Sequence, residues 1–92
     1  MPVRTFGYDL VQNVCTLVVP RNVEPQEVCI HNHEHNQNHE IFLGNENVTV
    51  TNGMHAVAKE TSIITLPPND ELYAITSTAG GCNLRIMVVT QH

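Results

Sequence analysis

The sequence predicts an all-β fold, a small antiparallel β-sandwich or jelly-roll-like domain. Apolar and polar residues alternate over many short runs, which is the period of a half-buried strand. Clusters of Gly, Pro and Asn interrupt these runs about every 8–12 residues, as is typical of sandwiches and jelly rolls. No segment carries a 3.6-residue apolar stripe long enough to form an independent helix.

The first twelve residues show little regular patterning. Phe6 and Tyr8, which alternate with Gly7, are the exception. We therefore expect residues 1–12 to form an extended N-terminal arm. Residues 13–92 are expected to form a single β-sandwich domain.

The first half of this domain contains three predicted strands. Pro20 and Pro25 bound the first connection, and a polar segment rich in His and Asn forms the second. The predicted strands are Asn13–Val19, Gln26–Asn32 and Glu40–Leu43.

The second half contains five predicted strands, separated by turns with residues that tolerate positive φ or fix a turn, such as Asn52-Gly53 and Gly80-Gly81. The last two strands are apolar on both faces or nearly so, which predicts central positions in their sheets. The predicted strands are Val48–Thr51, Ala56–Ala58, Ser62–Leu66, Glu71–Thr76 and Cys82–Thr90.

One charged residue interrupts the last strand. Leu84, Ile86 and Val88 form a wholly apolar face, whereas Arg85 shares the other face with apolar neighbours. We interpret this arginine as a rim ion pair or a contact between subunits rather than a catalytic group.

Composition narrows the possible functions. Ninety-two residues form one domain with a modest core of its own, so we expect partners or assembly to complete it. Four Lys and Arg against nine Asp and Glu leave no basic stripe, and we expect no nucleic-acid partner. There is no apolar run of about 18 residues and no signal-peptide core, so we expect a soluble protein without a membrane partner. The cysteines are odd in number and lie far apart, which favours reduced thiols: Cys15, Cys29 and Cys82.

Residues 31–40 hold four of the six histidines and two of the nine acidic residues. Neutral imidazoles with neighbouring carboxylates are the ligands that zinc and other transition metals require. If the strand from Gln26 continues, three of these histidines share one face at i, i+2, i+4 spacing. The candidate ligands are His31, His33, His35, His39 and Glu40. The alternative interpretation is a solvated polar loop or a contact between subunits, with no cofactor.

The spacing of His33, His35 and Glu40 resembles the first metal motif of the cupin family, whose small jelly-roll domains bind iron, manganese, nickel or zinc. The resemblance implies a metal-binding protein or metalloenzyme that uses the cluster from His31 to Glu40. The glycine expected before the first histidine is missing, and no histidine follows the Pro67-Pro68 turn, where the second motif would end.

A longer succession of strands and turns extends over residues 27–90. It runs through a Val-Cys-Ile-His-Asn strand, a variable polar loop and a series of apolar segments: Ile41–Gly44, Val48–Met54, Ile63–Leu66, Leu72–Ile75, Gly80-Gly81 and Leu84–Val89. This succession resembles small β-sandwich accessory proteins of tailed bacteriophage virions, commonly capsid decoration or cement proteins. The histidine-rich loop departs from the short connection that these proteins usually have.

The resemblance implies a virion structural protein that binds the outer surface of a phage head and stabilises it. It further implies a major capsid protein or other virion proteins as partners, a homo-oligomer such as a trimer, and a location in the virion after assembly in the host cytoplasm. A phage neck or tail accessory protein is the alternative within this class. The chain contains no nucleophile–base pair, phosphate-binding glycine loop or paired acid–base carboxylates, so we expect no enzyme activity.

Overall fold

The computed structural model describes residues 3–33, 40–49, 51–56 and 61–90, with backbone alone at 55, 56 and 90. Its regular secondary structure consists of eight strands: β1 Val3–Leu10, β2 Thr16–Val19, β3 Gln26–Asn32, β4 Ile41–Gly44, β5 Met54–Ala56, β6 Thr61–Leu66, β7 Leu72–Thr76 and β8 Cys82–Thr90. Sheet A has the order β1-β8-β3-β6, and sheet B has the order β2-β7-β4-β5.

The strand pairing is that of a jelly roll. Strand β1 pairs with β8, β2 with β7, β3 with β6 and β4 with β5, and all of these pairs are antiparallel. The chain is therefore one long hairpin, folded over so that successive strand pairs fall in opposite sheets. Within each sheet, one further antiparallel pair joins the two strand pairs: β3 with β8 in sheet A and β4 with β7 in sheet B. The predicted fold class is confirmed.

The core lies between the two sheets and follows from strand alternation. Leu84, Ile86 and Val88 of β8 point inward and are buried, as the sequence predicts. They meet the inward residues of sheet B, such as Ile41 and Ala74. Strands β7 and β8 both have neighbours on each side, so their predicted central positions are also confirmed.

The N-terminal segment corrects one prediction. Residues 3–10, expected to be an arm, form β1 and pair with β8 from Val3–Val89 to Leu10–Cys82. Phe6 and Tyr8 pack against the core, and their rings lie 6.2 Å apart. Arg4 on the inward side and Val3 on the outward side obscured the alternation in the sequence, and the partner strand lies far along the chain.

Residues 45–53, here called the covering loop, correct a second prediction. The expected strand Val48–Thr51 is not formed by its described residues. The backbone N–H of Val48 donates to the Asn45 carbonyl at 2.9 Å, and that of Gly53 donates to the Thr49 carbonyl at 3.1 Å. These local bonds turn the chain instead of extending it. The next strand, β5, begins at Met54, whereas the prediction placed it at Ala56–Ala58, of which residues 57 and 58 lie outside the described residues.

Candidate functional site

The two histidines of the cluster that the structure describes lie on the outer face of sheet A. His31 is near the end of β3 and His33 follows it, while Asn32 between them is buried. The imidazole centroids are 5.5 Å apart. Two imidazoles that share one tetrahedral ion, at about 2.0–2.1 Å from nitrogen to metal, have centroids roughly 5 Å apart. Sequence alternation correctly placed this pair on one face.

The remaining candidate ligands are not brought to this pair within the described residues. Glu40 precedes β4 in sheet B, where its carbonyl accepts a hydrogen bond from the Thr76 hydroxyl at 2.6 Å. His35 and His39 lie outside the described residues. Over the described ranges, no group of three His, Cys, Asp or Glu side chains is placed to hold a metal ion. The inward residues of β3 are Gln26, Val28, Ile30 and Asn32, so a metal bound by His31 and His33 would lie outside the sandwich rather than in its interior.

Strand register arranges the outer face of sheet A in rows that cross its strands. Successive outward residues of β1, β8, β3 and β6 are direct neighbours because the register runs unbroken through the sheet. The rows are Val3, Val89, Glu27 and Thr65; then Thr5, Met87, Cys29 and Ile63; then Gly7, Arg85, His31 and Thr61; and finally Asp9 and Asn83, beside His33.

Two of these rows contain apolar side chains that remain accessible. Ile63 is 66% exposed, Val3 57% and Met87 42%. Outward positions of a sandwich strand are usually polar. We call this group the apolar half of the face: Val3, Val89, Met87, Cys29 and Ile63.

The other two rows form a hydrogen-bonded polar half: Asp9, Asn83, Arg85, His31, His33 and Thr61. The Arg85 Nε–H donates to Asn83 Oδ1 at 2.9 Å, and Asn83 Nδ2 donates to Asp9 Oδ1 at 2.9 Å. In the neighbouring strands, His31 Nδ1 lies 3.0 Å from Thr61 Oγ1. Two side chains that carry or can carry positive charge, Arg85 and His31, are thus direct cross-strand neighbours.

A depression of about 520 Å³ joins the two halves. Gly7 contributes no side chain to it, which leaves room between Thr5 and Asp9 on β1. Arg85 and His31 line its polar side, and Met87 and Cys29 line its apolar side. The depression is shallow and open, so it suits a side chain from a partner better than a buried substrate.

The outer face of sheet B is arranged differently, because the covering loop packs on it. Val48 is only 5% exposed, and it lies so close to Gly44 that a Cβ there would be 2.9 Å from Val48 Cγ2. A Cβ at Gly53 would likewise lie only 2.6 Å from the Cβ of Phe42, an outward residue of β4. Ile75, the cross-strand neighbour of Phe42, is 7% exposed although it too points away from the core. On the β4–β7 part of sheet B, Ile75 is therefore buried within the chain itself, whereas Leu17, outward on β2, is 38% exposed.

The covering loop also affects a thiol. Cys15 Sγ lies 3.7 Å from the Glu46 carbonyl oxygen. Burial, and secondarily the Glu46 carboxylate, raise the pKa of Cys15 above its ordinary value. A raised pKa keeps the thiol protonated at neutral pH, which disfavours a nucleophilic role. All three cysteines are free thiols, and Cys82 is buried.

Sequence reasoning missed the apolar half as a unit. Alternation alone places Met87 beside Arg85 on one face of β8, but it does not show that Cys29 and Ile63 continue the row. The signal is present only in the register between strands that lie far apart along the chain.

No family model matches the chain, and no curated protein matches it. Among solved structures, the chain is similar to one from Bacillus, whose endospore appendages are described as "a novel family of disulfide-linked pili". The TM-score is 0.56 with 7% sequence identity, and the match covers 99% of this chain and 87% of the other. At this identity the similarity shows the fold alone. None of the described residues forms a helix long and apolar enough to cross a membrane.

Proposed function

We propose that this protein is a structural subunit that binds a larger protein assembly through the outer face of sheet A. We further propose that the assembly is the head of a tailed bacteriophage, on which the protein acts as a capsid decoration or cement protein. The observation that carries the proposal is the apolar half, which remains accessible on a sandwich whose other outer face is covered over β4 by the chain itself.

The chemistry of the face favours a protein partner. Contiguous exposed apolar side chains beside polar groups mark interaction sites on small proteins. Met and Arg are enriched in protein interfaces, and both are central here, at positions 87 and 85 of the same strand. Burying apolar surface stabilises a complex by about 25 cal/mol per Å² before the costs of association are subtracted.

Two further lines support assembly. The similar Bacillus structure is described as part of disulfide-linked pili, and the match covers 87% of its chain. The succession of strands and turns over residues 27–90 resembles phage accessory proteins, and that resemblance is the reason for proposing a virion. It also supports a homo-oligomer, such as a trimer, with the major capsid protein as partner. This function requires no catalytic step.

A binding experiment with phage particles that lack the protein tests the proposal. The wild-type chain should bind at a fixed stoichiometry and raise the temperature at which the shell ruptures, since a ligand of the intact state stabilises it. Ile63→Ser combined with Met87→Ser should weaken binding at least tenfold while leaving the isolated fold unchanged. Val23→Ser is the matched control, because Val23 is 76% exposed but lies outside sheet A.

Equal binding by the double variant and the control would show that another surface is used. Binding only to neck or tail structures would replace the decoration role with the neck or tail accessory role. No binding to any virion part would remove the phage assignment.

The His31–His33 pair favours a second candidate function, transition-metal binding. If the His31 Nδ1–H donates to Thr61, the Nε2 lone pair is available to a metal, an arrangement common among metal-bound histidines. Two imidazoles are fewer than the three protein ligands of a typical zinc site, so a further ligand would have to come from beyond this pair. Elemental analysis of untagged protein after dialysis tests this candidate. Near-stoichiometric zinc that is lost in His31→Asn/His33→Asn would support it, and absence of metal from both the protein and the intact particle would exclude it.

A further inference from the structure

Arg85 differs from the other two arginines, which lie elsewhere in the fold. Arg21 forms an ion pair with Glu71 at 3.4 Å, and Arg4 lies 5.8 Å over the Phe6 ring centre. Toward the part of the chain that the structure describes, the Arg85 side chain donates one hydrogen bond, from Nε–H to Asn83 Oδ1. Within the described residues, no carboxylate lies within ion-pair distance of its guanidinium. Among these residues its positive charge has no acidic partner.

The arginine side chain is also held in place. Asn83 connects it to Asp9, so the carboxylate orients the arginine through the amide rather than neutralising it directly. The arginine stem lies over Gly7, where a Cβ would be 3.6 Å from Arg85 Cδ and 3.7 Å from Nε. A guanidinium fixed in this way loses less conformational entropy on binding than a freely rotating one.

His31 provides a second polar group on the same side of the depression. It lies directly opposite Arg85 in the register, and the Cβ atoms of such neighbours are about 4.5–5.5 Å apart. Thr61 contacts Nδ1, which leaves Nε2 as the second ring nitrogen for a ligand. The apolar side of the depression, with Met87 and Cys29, can contact the aliphatic part of the same ligand.

We infer that this depression binds the carboxylate of an Asp or Glu side chain on the partner protein, with the Arg85 guanidinium as its anchor. The inference rests on the proposed function and specifies what the partner surface presents. A planar guanidinium binds a carboxylate through two parallel hydrogen bonds. A polyanion such as nucleic acid would require several cations, whereas this chain has four Lys and Arg against nine Asp and Glu. A single buried carboxylate within an apolar interface is the ligand that fits one fixed cation.

The first test uses isolated protein and a small probe, so it does not depend on the particle. N-acetyl-glutamate amide should shift the NMR signals of the Arg85 Nε–H and the His31 ring at millimolar concentration, and the neutral glutamine analogue should not. Arg85→Gln should abolish the response, and Arg21→Gln should retain it. Equal shifts with the acidic and neutral probes, or an unchanged response in Arg85→Gln, would overturn the inference even if the protein binds particles.

The second test measures binding to particles that lack the protein. Arg85→Gln should weaken binding at least tenfold, and Arg85→Lys should not restore it fully, because an ammonium lacks the planar fork. Asn83→Asp should also weaken binding, since the new carboxylate would pair with the Arg85 guanidinium in place of the partner's carboxylate. Wild-type affinity in Arg85→Gln would overturn the inference and leave the proposed function intact. Tenfold weaker binding by Ile63→Ser/Met87→Ser with no effect of Arg85→Gln would identify an apolar contact without a carboxylate anchor.

Discussion

The outer faces of the two sheets contain the same kinds of residue in opposite situations. Ile75 on sheet B and Ile63 on sheet A both point away from the core, yet the first is 7% exposed and the second 66%. The covering loop packs on sheet B, with Val48 placed against Gly44. Sheet A has no equivalent cover among the described residues. The difference between Ile63 and Ile75 thus reflects the local cover over each residue and not the residue type.

The largest expected effect is a difference in stability between variants of the two isoleucines. Ile75→Ala removes a buried side chain and should reduce the free energy of unfolding by about 2–4 kcal/mol. Ile63→Ala removes an exposed one and should change it by no more than about 0.5 kcal/mol. Denaturant unfolding, followed by circular dichroism, measures both. Similar losses in the two variants would show that the faces are equally covered in solution.

Gly53 and Gly7 provide a second comparison, with an expected change in stability of intermediate size. At Gly53 a Cβ would lie 2.6 Å from Phe42 Cβ and 2.8 Å from Val48 Cγ2, so Gly53→Ala should cost about 1–3 kcal/mol. At Gly7 the nearest atoms are 3.6 Å away, which is ordinary contact, and Gly7→Ala should be nearly neutral. Thermal unfolding of both variants measures the difference. A neutral Gly53→Ala would mean that the covering loop does not pack closely on sheet B.

The smallest expected effect is a change in thiol reactivity beside the covering loop. Because the pKa of Cys15 is raised, its alkylation by iodoacetamide should accelerate at a higher pH than that of an ordinary cysteine. Glu46→Gln removes the secondary cause and should move this profile to lower pH, although burial, the main cause, remains. Site-resolved mass spectrometry follows each cysteine separately. Glu71→Gln is the control and should leave the Cys15 profile unchanged, whereas an unaltered profile in Glu46→Gln would place the loop away from Cys15.

Local alternation predicted much of this fold. The β3 and β8 boundaries, the inward face of β8 and the shared face of His31 and His33 all follow from a period of two. The role of β1 did not, because Val3 and Arg4 break its alternation and its partner β8 lies far along the chain. The prediction of a strand at Val48–Thr51 is wrong because local hydrogen bonds turn the backbone there, and the covering loop packs on the outer face of sheet B instead.

The candidate site was less predictable than the fold. Arg85 was interpreted as a rim ion pair or a subunit contact, and the described residues contain no ion pair to it. The apolar half combines residues from strands that the sequence alone does not align, and the predicted ligands His35 and His39 lie outside the described residues. Register between distant strands is set by the whole sheet and by turn geometry, which a linear pattern does not contain.

The pairing of the first strand with the last has a consequence for the order of folding. Val3 and Val89 are register partners, so closing sheet A brings together residues separated by nearly the whole chain. Such long-range pairing has a high entropic cost of loop closure and slows folding. Strands β4 and β5, by contrast, are joined by the covering loop alone. We therefore expect the β4–β5 hairpin to form early and the β1–β8 ladder to form late. During synthesis on the ribosome, β8 emerges after the other seven strands, and the face that holds Arg85 and Met87 cannot form before it does. This order keeps the proposed binding face from forming on a growing chain before the rest of the sandwich has folded.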